Sequence, residues 1–303
     1  MATIELERLT KYYGSVRGIE EVTLTVDSGE VLGFIGPNGA GKSTMIRTAL
    51  GLLKPTSGHA RILGIGPDDP ARLFQRVGYL PSDVRGYDGV TVGQFLQITA
   101  GFYPRPVADR TDELIRLFEI ETTRRFAQLS TGNRKKVGIA IAFLHSPDVV
   151  ILDEPTDGLD PLMRARFYEL IDRERKRGTT ILFSSHTLSE VQANCSRIIF
   201  IRDGRIVETG PFVDLQRRSV RRLTAYTTIQ AVAEVEAVVA RTEGMTIESD
   251  GAETQISILM EGETGAMLAR LPLAKLRDIR VVEPSLEELF LHYYRSESES
   301  PHG

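Results

Sequence analysis

A glycine-rich loop near the start of the chain has residue types and spacing that could hold a phosphate chain. Residues 36–43 read Gly-Pro-Asn-Gly-Ala-Gly-Lys-Ser and match the pattern G-x-x-x-x-G-K-[ST] in full. The apolar run VLGFIG leads into the loop, and apolar residues follow at helical spacing from Lys42 to Leu53. The glycines let backbone N–H groups turn towards an anion, and the start of the helix adds positive potential. A glycine-rich structural turn is the alternative, but the strand before the loop and the helix after it favour phosphate binding.

The same loop supplies two side chains suited to a nucleoside triphosphate. The Lys42 ammonium can reach the β- and γ-phosphates, and the Ser43 hydroxyl can ligate Mg²⁺. ATP and Mg²⁺ are therefore the expected ligands. The residues expected to contact the nucleotide here are Gly36, Pro37, Asn38, Gly39, Ala40, Gly41, Lys42, Ser43 and Thr44.

Two carboxylates end a second apolar strand further along the chain. Residues 149–154 read Val-Val-Ile-Leu-Asp-Glu. Such a strand is buried on both faces of a parallel sheet, and its carboxyl end opens at the edge where α/β proteins bind ligands. We expect Asp153 to hold the Mg²⁺ hydration shell, and Glu154 to polarise the attacking water as a catalytic residue. A polar cap that merely ends the strand is the alternative, which the upstream loop disfavours.

The elements that must position these side chains alternate between strand and helix. Short runs of alternating apolar residues fill 2–35, helical spacing dominates 91–144, and a hairpin at 197–210 has Asp203-Gly204 at its turn. This order predicts an α/β fold with a largely parallel sheet.

The chain changes character after about Pro211. We predict a main domain at 1–215, a charged linker at 216–222, a small α+β domain at 223–295 and a disordered tail at 296–303. The alternation of elements in the small domain is typical of a ferredoxin-like arrangement. Its predicted strands are 223–229, 245–249, 254–260 and 277–282, and its predicted helices are 230–241, 263–274 and a last one from Ser285.

Composition and charge exclude several classes of protein. The 303 residues carry a net charge of -4, which argues against nucleic acid as the main partner, because phosphate backbones require a basic surface. The single cysteine, Cys195, allows no intrachain disulfide and fits a reducing compartment. The N-terminal MATIELERL lacks a signal-peptide core, and the apolar run at 137–144 is shorter than the ~20 residues of a membrane-spanning helix. A membrane role would therefore require another chain to supply the pore.

Together with the loop and the acid pair, four further motifs resemble those of the ATP-binding subunits of ABC transporters. Residues 129–133, Leu-Ser-Thr-Gly-Asn, resemble the family signature LSGGQ, and residues 158–160, Gly-Leu-Asp, stand at the family's D-loop spacing. Residues 185–186, Ser-His, match the switch histidine, and residues 11–14, Lys-Tyr-Tyr-Gly, match the adenine-stacking loop. The resemblance covers about 2–215. It implies a P-loop ATPase cassette, with a RecA-like parallel sheet core and antiparallel β and helical subdomains, followed here by the small α+β domain.

The resemblance implies a role for each of these side chains. Tyr13 would stack on the adenine, which gains affinity with little base discrimination, although a half-buried strand aromatic is the alternative. Ser130 and Gly132, at a helix N-terminus, would cap the γ-phosphate bound by a second copy of the cassette, so that two cassettes enclose two ATP molecules. Asp160 would bridge across this dimer, and His186 would contact the γ-phosphate as a second catalytic residue.

Partners and a location follow from the same resemblance. The chain would pair with a separate integral-membrane permease subunit and with a second copy of itself, and would lie at the cytoplasmic face of the cell membrane. The ending Pro-Ser-Leu-Glu at 284–287, with Phe290, is similar to bacterial drug and antibiotic exporter ATPases, so export is the expected direction. The face formed by Leu286, Leu289, Phe290 and Tyr293 could equally be simple core. Residues 89–102 lie where the family's permease docks, and their apolar side chains could serve docking or the core.

The sequence departs from the family pattern at three positions. Thr131 and Asn133 replace the glycine and glutamine that are usual in the signature, so closure of the dimer is expected to be tuned or slower. Ser82 stands where a glutamine or glutamate normally approaches Mg²⁺. Serine is shorter, so a water or Asp83 would substitute, and we expect Ser82 to support weakened metal coordination. The basic residues 134–136 are interpreted as a solvated helix face.

Two other functions fit parts of the sequence. A cassette protein acting on ribosomes or DNA is one, but such proteins usually carry two cassettes with a basic linker or long coiled coils, and this chain has neither. A nucleotide sensor that does not hydrolyse ATP is the other. The presence of both Glu154 and His186 argues against it.

Overall fold

The computed structural model describes residues 2–87, 89–211, 220–227, 246–250, 253–261, 265, 268–269 and 271–282. They belong to two compact units, Met1–Gly210 and Pro211–Gly303. Within the described ranges, no helix is both long enough and apolar enough to cross a membrane.

The first unit alternates strands and helices, as the sequence predicts. Its strands are β1 Ala2–Tyr13, β2 Val16–Asp27, β3 Val31–Ile35, β4 Ser57–Ile62, β5 Val77–Leu80, β6 Val149–Asp153, β7 Thr180–Ser185, β8 Arg197–Arg202 and β9 Arg205–Pro211. Its helices are α1 Lys42–Ala49, α2 Pro70–Phe74, α3 Val92–Ala100, α4 Ala108–Phe118, α5 Thr131–Phe143, α6 Pro161–Lys176 and α7 Leu188–Asn194. Phe126–Gln128 forms a short 3₁₀ helix.

A six-stranded sheet forms the centre of this unit, in the order β5-β6-β7-β3-β8-β9. The neighbours from β5 to β8 pair in parallel. Every residue of β3, β6 and β7 is buried, which explains their continuous apolar runs. The predicted α/β fold with a largely parallel sheet is confirmed, and the carboxyl ends of β3, β6 and β7 meet at one edge.

A second, antiparallel sheet in the order β2-β1-β4 lies on the other side of α1. Met45 and Ile46 of α1 share one buried core with Leu6 and Ile19 of this sheet and with Leu32 of β3. Burial of such side chains contributes about 1.5–3 kcal/mol each, so this core fixes the helix that follows the glycine-rich loop.

Helix α7 packs closely on β3. A Cβ at Gly33 would collide with Val191 and would lie 3.0 Å from the Cys195 sulfur, so only glycine allows this approach. Cys195 is buried just beyond the end of α7, and burial raises the pKa of its thiol.

Helices α3, α4 and α5 form the helical region that the apolar spacing predicts over 91–144. Thr91 caps α3 through a capping box with Gln94. Arg110 of α4 pairs at 2.5 Å with the buried carboxylate of Glu174 on α6, which fixes this region to the helix beside the central sheet. Arg177 also lies 3.2 Å from the Glu174 carboxylate, so two arginines compensate this buried charge.

The second unit contains an antiparallel sheet in the order β11-β12-β10-β13. Its strands are β10 Val220–Thr227, β11 Thr246–Asp250, β12 Glu253–Glu261 and β13 Leu276–Val282. The order places the first strand between the third and the fourth, as in the ferredoxin-like arrangement. Strand β10 begins within the predicted linker 216–222, because its first residues pair with the end of β12.

The helices predicted for the second unit are only partly covered by the described residues. The predicted helices 230–241 and from Ser285, and the tail at 296–303, lie outside them. Of the helix predicted at 263–274, Gly265 and Leu268 are helical, and Leu273–Lys275 forms a 3₁₀ helix.

Candidate active site

The glycine-rich loop joins β3 to α1 with a backbone that requires glycine. Gly39 and Gly41 have φ of 81° and 106°, the left-handed region that side chains disfavour. A Cβ at Gly36 would lie 2.5 Å from the Ile201 carbonyl oxygen, and one at Gly41 would lie 2.6 Å from that of Gly18. Gly41 precedes α1 without a side-chain cap, so the first N–H groups of the helix point towards the loop unpaired by side chains.

The hairpin turn between β8 and β9 contacts the glycine-rich loop and holds it in place. Asp203 and Gly204 have φ of 47° and 78°, which matches the predicted Asp-Gly hairpin turn. The N–H of Gly204 donates to the Ala40 carbonyl at 2.9 Å, and its carbonyl accepts from the Glu20 N–H at 2.8 Å. The loop is therefore held by both sheets.

Lys42 lies inside the loop and is 6% exposed. Its Nζ donates to the carbonyls of Gly36 at 2.5 Å and Pro37 at 3.2 Å. The same ammonium lies 3.1 Å from Oε1 of Glu154. The structure thus brings the predicted phosphate-binding lysine and the predicted catalytic carboxylate into one ion pair.

Asp153 is fully buried at the end of β6. Its Oδ1 accepts a hydrogen bond from the Ser184 hydroxyl at 2.8 Å, whereas its Oδ2 is buried without a hydrogen-bond partner. An orphaned carboxylate oxygen is costly unless a cation or water satisfies it. Oxygen donors are the ligands that Mg²⁺ prefers, so Asp153, with the half-buried Ser43 at the start of α1, fits such an ion.

Glu154 has a left-handed main chain, with φ of 49°. This conformation is rare for a residue other than glycine and persists only where the surrounding structure enforces it. Its N–H donates to the Ser184 hydroxyl at 3.0 Å, and its Oε2 lies 2.9 Å from Nδ1 of His186. The carboxylate therefore stands between Lys42 and His186, next to Asp153.

Two further residues contact these acidic side chains or His186 and are not predicted from the sequence. Ser184 pairs in register with Asp153 and holds both acidic residues; the polar residues 184–186 mark the end of β7 but do not reveal this pairing. The Asp157 carboxylate lies 3.9 Å from the ring of His186, and the ligand atoms of Glu154, Asp157 and His186 lie within 4.8 Å of one another.

Tyr13 lies at the end of β1 with 47% of its surface exposed. The Lys11 ammonium is 5.3 Å from its ring centroid. A Cβ at Gly18 would lie 2.9 Å from both the Tyr13 ring and the Thr44 methyl, so the tyrosine is close to the start of α1. Its position beside the loop leaves a ring available for stacking on a base.

Ser130, Gly132 and Asp160 lie at the starts of α5 and α6. Ser130 is the N-cap of α5 and accepts from the Asn133 N–H at 3.3 Å, and Asp160 caps α6 by accepting from the Met163 N–H at 2.9 Å. Within the described part of the chain, these three residues form no hydrogen bond with loop 36–44.

Ser82 is held in place by a hydrogen bond to its main-chain carbonyl. Its carbonyl accepts a hydrogen bond from Nζ of Lys135 at 2.9 Å. Asp83, the suggested substitute for the usual longer residue, is exposed and pairs with Arg85 at 2.8 Å. Its carboxylate is thus engaged away from the acid pair.

The interpretation of residues 134–136 as a solvated face is wrong for Lys135. This side chain is only 2% exposed. It lies one helical turn before the buried Ile139, on the face of α5 that packs towards β5, so it points inward. Burial lowers the pKa of Lys135, while the carboxylates of Asp157, Asp153, Glu154 and Asp83 act in the opposite direction.

The signature segment touches the D-loop at Gly132. A Cβ at this position would collide with the carbonyl oxygen of Gly158. We expect Gly132→Ala to displace both segments and to lower ATP turnover by about 100-fold, the usual loss for a misplacement near 1 Å. Nucleotide binding to loop 36–44 should change little. Steady-state turnover and ADP titration would measure the two effects.

Gly89→Ala is the matched control, because a Cβ there meets nothing within 4 Å. Equal turnover in the two alanine variants would contradict the predicted importance of the contact between Gly132 and Gly158.

Comparison with known proteins matches these features to one family. The family described as ABC transporter matches residues 19–157. The bacitracin transport ATP-binding protein BcrA of Bacillus licheniformis is 36% identical over 225 residues, covering 73% of this chain and 73% of BcrA. The ABC transporter ATP-binding protein NatA of Bacillus subtilis is 38% identical over 207 residues, covering 66% of this chain and 84% of NatA.

Solved structures show the same fold over about two thirds of this chain. The ATP-binding subunit of an ABC transporter superposes with a TM-score of 0.67 at 32% identity, over 71% of this chain and 92% of that one. A dimeric ATP-binding cassette in a post-hydrolysis state, bound to ADP and Pi, gives a TM-score of 0.64 at 24% identity, over 69% and 98% of the two chains. The predicted cassette fold is confirmed.

Proposed function

Because this chain belongs to the family of ABC transporter ATP-binding proteins, we propose that it binds and hydrolyses MgATP to drive transport through a separate membrane subunit. The observation that carries this proposal is the placement of Glu154. Its carboxylate lies 3.1 Å from Lys42 of the phosphate loop and 2.9 Å from His186. Glu154, the proposed general base, thus contacts both the proposed phosphate-binding cation and a histidine.

In the proposed reaction, ATP enters with its phosphates in loop 36–44 and its adenine on Tyr13. The N–H groups at the start of α1 bind phosphate oxygens, and the Lys42 ammonium leaves the Gly36 and Pro37 carbonyls for the β- and γ-phosphates. The transfer of Lys42 releases Glu154 from its ion pair. The carboxylate is then free to accept a proton from the water that attacks the γ-phosphorus.

His186 and Asp153 complete the proposed chemistry. His186 holds Oε2 of Glu154 and would donate to a γ-phosphate oxygen through its ring. Asp153 and Ser43 would hold Mg²⁺, which supplies charge neutralisation of the β- and γ-phosphate oxygens. Ser184 fixes both acidic residues, because its hydroxyl bonds Asp153 and receives the Glu154 N–H.

We further propose that two copies of the chain close over two ATP molecules. The start of α5, with the Ser130 hydroxyl and the Gly132 N–H, would bind the γ-phosphate held by the second copy, and Asp160 would lie at the contact between copies. Hydrolysis separates the γ-phosphate from ADP, and departure of that phosphate removes an anion that both copies bind, so the dimer can open. ATP would thus order and release the dimer in each cycle.

A membrane permease is the proposed second partner. Tyr87, Ile98 and Phe102 are exposed before, on and after α3, and Tyr87 packs against the half-buried Phe95 with ring centroids 5.9 Å apart. Exposed apolar surface of this kind is typical of a protein contact. We assign it to the permease, which would hold the chain at the cytoplasmic face of the cell membrane. Export of a drug-like or antibiotic-like substrate is proposed from the likeness to BcrA.

The test of this function is a pull-down of the tagged full chain from detergent-solubilised native membranes. The expected result is one polytopic membrane protein in stoichiometric amount, lost in a Phe102→Asp variant that still hydrolyses ATP. Recovery of ribosomes, of DNA-bound proteins or of no partner would refute the transport role and leave the ATPase.

The Mg²⁺ dependence of ATPase activity should reflect the short side chain of Ser82. We expect Ser82→Gln to lower the Mg²⁺ concentration needed for half-maximal ATPase activity by about 10-fold, the lower range for residues that support a metal site. The longer amide would reach towards the ion that Asp153 and Ser43 hold. Mg²⁺ titration of turnover at saturating ATP measures the effect, with Ser57→Gln, at the exposed first residue of β4, as control. An unchanged titration would remove Ser82 from the metal site.

A further inference from the structure

Lys135 is a buried cation that has no role in the proposed hydrolysis of ATP. Its side chain is 2% exposed. Its Nζ donates to two main-chain carbonyls, Ser82 at 2.9 Å and Glu154 at 2.8 Å. Because a buried ammonium is costly unless its N–H groups are satisfied, these two bonds indicate a specific placement rather than an accidental one.

The two carbonyls follow neighbouring strands of the central sheet. β5 and β6 pair in parallel, with Leu80 beside Leu152 at their carboxyl ends. Ser82 and Glu154 lie just beyond these ends. Lys135 therefore joins two adjacent loops at the strand edge where the catalytic groups lie.

The contact at Glu154 is to a main chain that needs support. Its φ of 49° is a left-handed conformation that persists only where the surroundings enforce it. The Ser184 hydroxyl holds its N–H at 3.0 Å, and Lys135 holds its carbonyl from the other side. The two contacts together set the direction in which the carboxylate leaves the backbone.

The location of Lys135 on α5 gives its contact with Glu154 a second consequence. It lies on α5, whose first turn contains Ser130 and Gly132. Since α5 is a rigid element, a movement of its start reaches Lys135 little more than one turn later. A phosphate bound at the start of α5 would therefore affect the position of the Glu154 main chain in the same copy.

We propose that Lys135 is a positioning residue that fixes the main chain of Glu154 and connects it to Ser82 and to the start of α5. It acts through Glu154 and not on the reacting atoms. The inference depends on the proposed role of Glu154 in ATP hydrolysis. It assigns to α5 a function beyond phosphate capping, namely to align the catalytic carboxylate when the second copy closes.

The test compares Lys135→Met, Lys135→Gln and Lys136→Met in the full chain. Methionine keeps the apolar stem but removes the donors, so kcat should fall by about 100-fold, as for a misplaced catalytic group. ADP affinity and thermal midpoint should stay near wild type. Glutamine retains an N–H₂ group on a shorter stem and should recover most of kcat. Lys136, half-buried on the same helix, is the matched control and should behave as wild type.

A second readout makes the inference independent of turnover. Amide hydrogen exchange at Glu154 and Thr156, on either side of Pro155, should be faster in Lys135→Met than in wild type or Lys136→Met, because the strained turn loses one of its supports. If wild type hydrolyses no ATP, the proposed function fails, and exchange alone decides the positioning role. Unchanged exchange, unchanged kcat in Lys135→Met, or an equal loss of kcat, ADP binding and stability in both Lys135 variants would overturn the inference.

Discussion

Glu154→Gln is expected to bind ATP but to hydrolyse it at least ~100-fold more slowly, the usual loss when a positioned base is removed. The amide keeps the size of the carboxylate and can still accept from Lys42 or His186. It cannot take a proton from the attacking water. Because the phosphate remains intact, two copies should stay closed over ATP, and the variant should elute as a dimer in size-exclusion chromatography with ATP and Mg²⁺.

The control for this prediction is Glu169→Gln, on the exposed side of α6. It should hydrolyse ATP as wild type does and should show no ATP-dependent dimer trapping. Normal turnover in Glu154→Gln would remove Glu154 from the role of base, whatever the oligomeric state.

Lys42→Ala should act one step earlier, on nucleotide binding itself. Hydrogen bonds to charged groups contribute about 1.5–3 kcal/mol, so loss of the ammonium should weaken ATP binding by about 10- to 100-fold. The Gly36 and Pro37 carbonyls and Oε1 of Glu154 also lose their partner, since Lys42 contacts all three. Isothermal titration with ATP and with ADP would measure the loss, which should be larger for ATP because only ATP carries a γ-phosphate.

The exposed Lys54, close in sequence but outside the loop, supplies the matched variant Lys54→Ala. Circular dichroism and thermal unfolding of both variants separate a binding defect from misfolding. ATP affinity unchanged in a folded Lys42→Ala would contradict the assignment of residues 36–44 as the phosphate site.

The sequence was most informative where local chemistry dictates the structure. Residues 36–43 must follow a buried strand and start a helix, because only glycines accept that turn and only a helix start supplies the N–H groups. Asp153 and Glu154 must lie at the same sheet edge, since parallel strands carry their carboxyl ends together. These expectations depend on short-range patterns, and the fold confirms them.

Contacts between distant segments could not be read in the same way. Lys135 carries a charge in a run of basic residues, and charge alone suggests exposure. Its burial follows from the packing of α5 on β5 and from carbonyls that lie 53 and 19 residues away in sequence. The pairing of Ser184 with Asp153 likewise depends on the registry between β6 and β7, which residue types do not encode.

In the second unit, too, strands with a clear local pattern are predicted well and those without one are not. Alternating apolar residues locate β11, β12 and β13 closely, because alternation reports the two faces of a strand. The start of β10 differs from the prediction, since residues 220–222, Val-Arg-Arg, carry little alternation and join the sheet through main-chain pairing with β12.

The buried thiol of Cys195 makes this chain unusually convenient for labelling. It is the only cysteine in the sequence, and alkylating reagents require a thiolate that burial beside β3 suppresses. A cysteine introduced on the exposed Leu162 at the start of α6 would therefore take up a maleimide spin label or fluorophore without mutating the native thiol. Distances between two such probes would follow the approach and separation of two copies through a catalytic cycle.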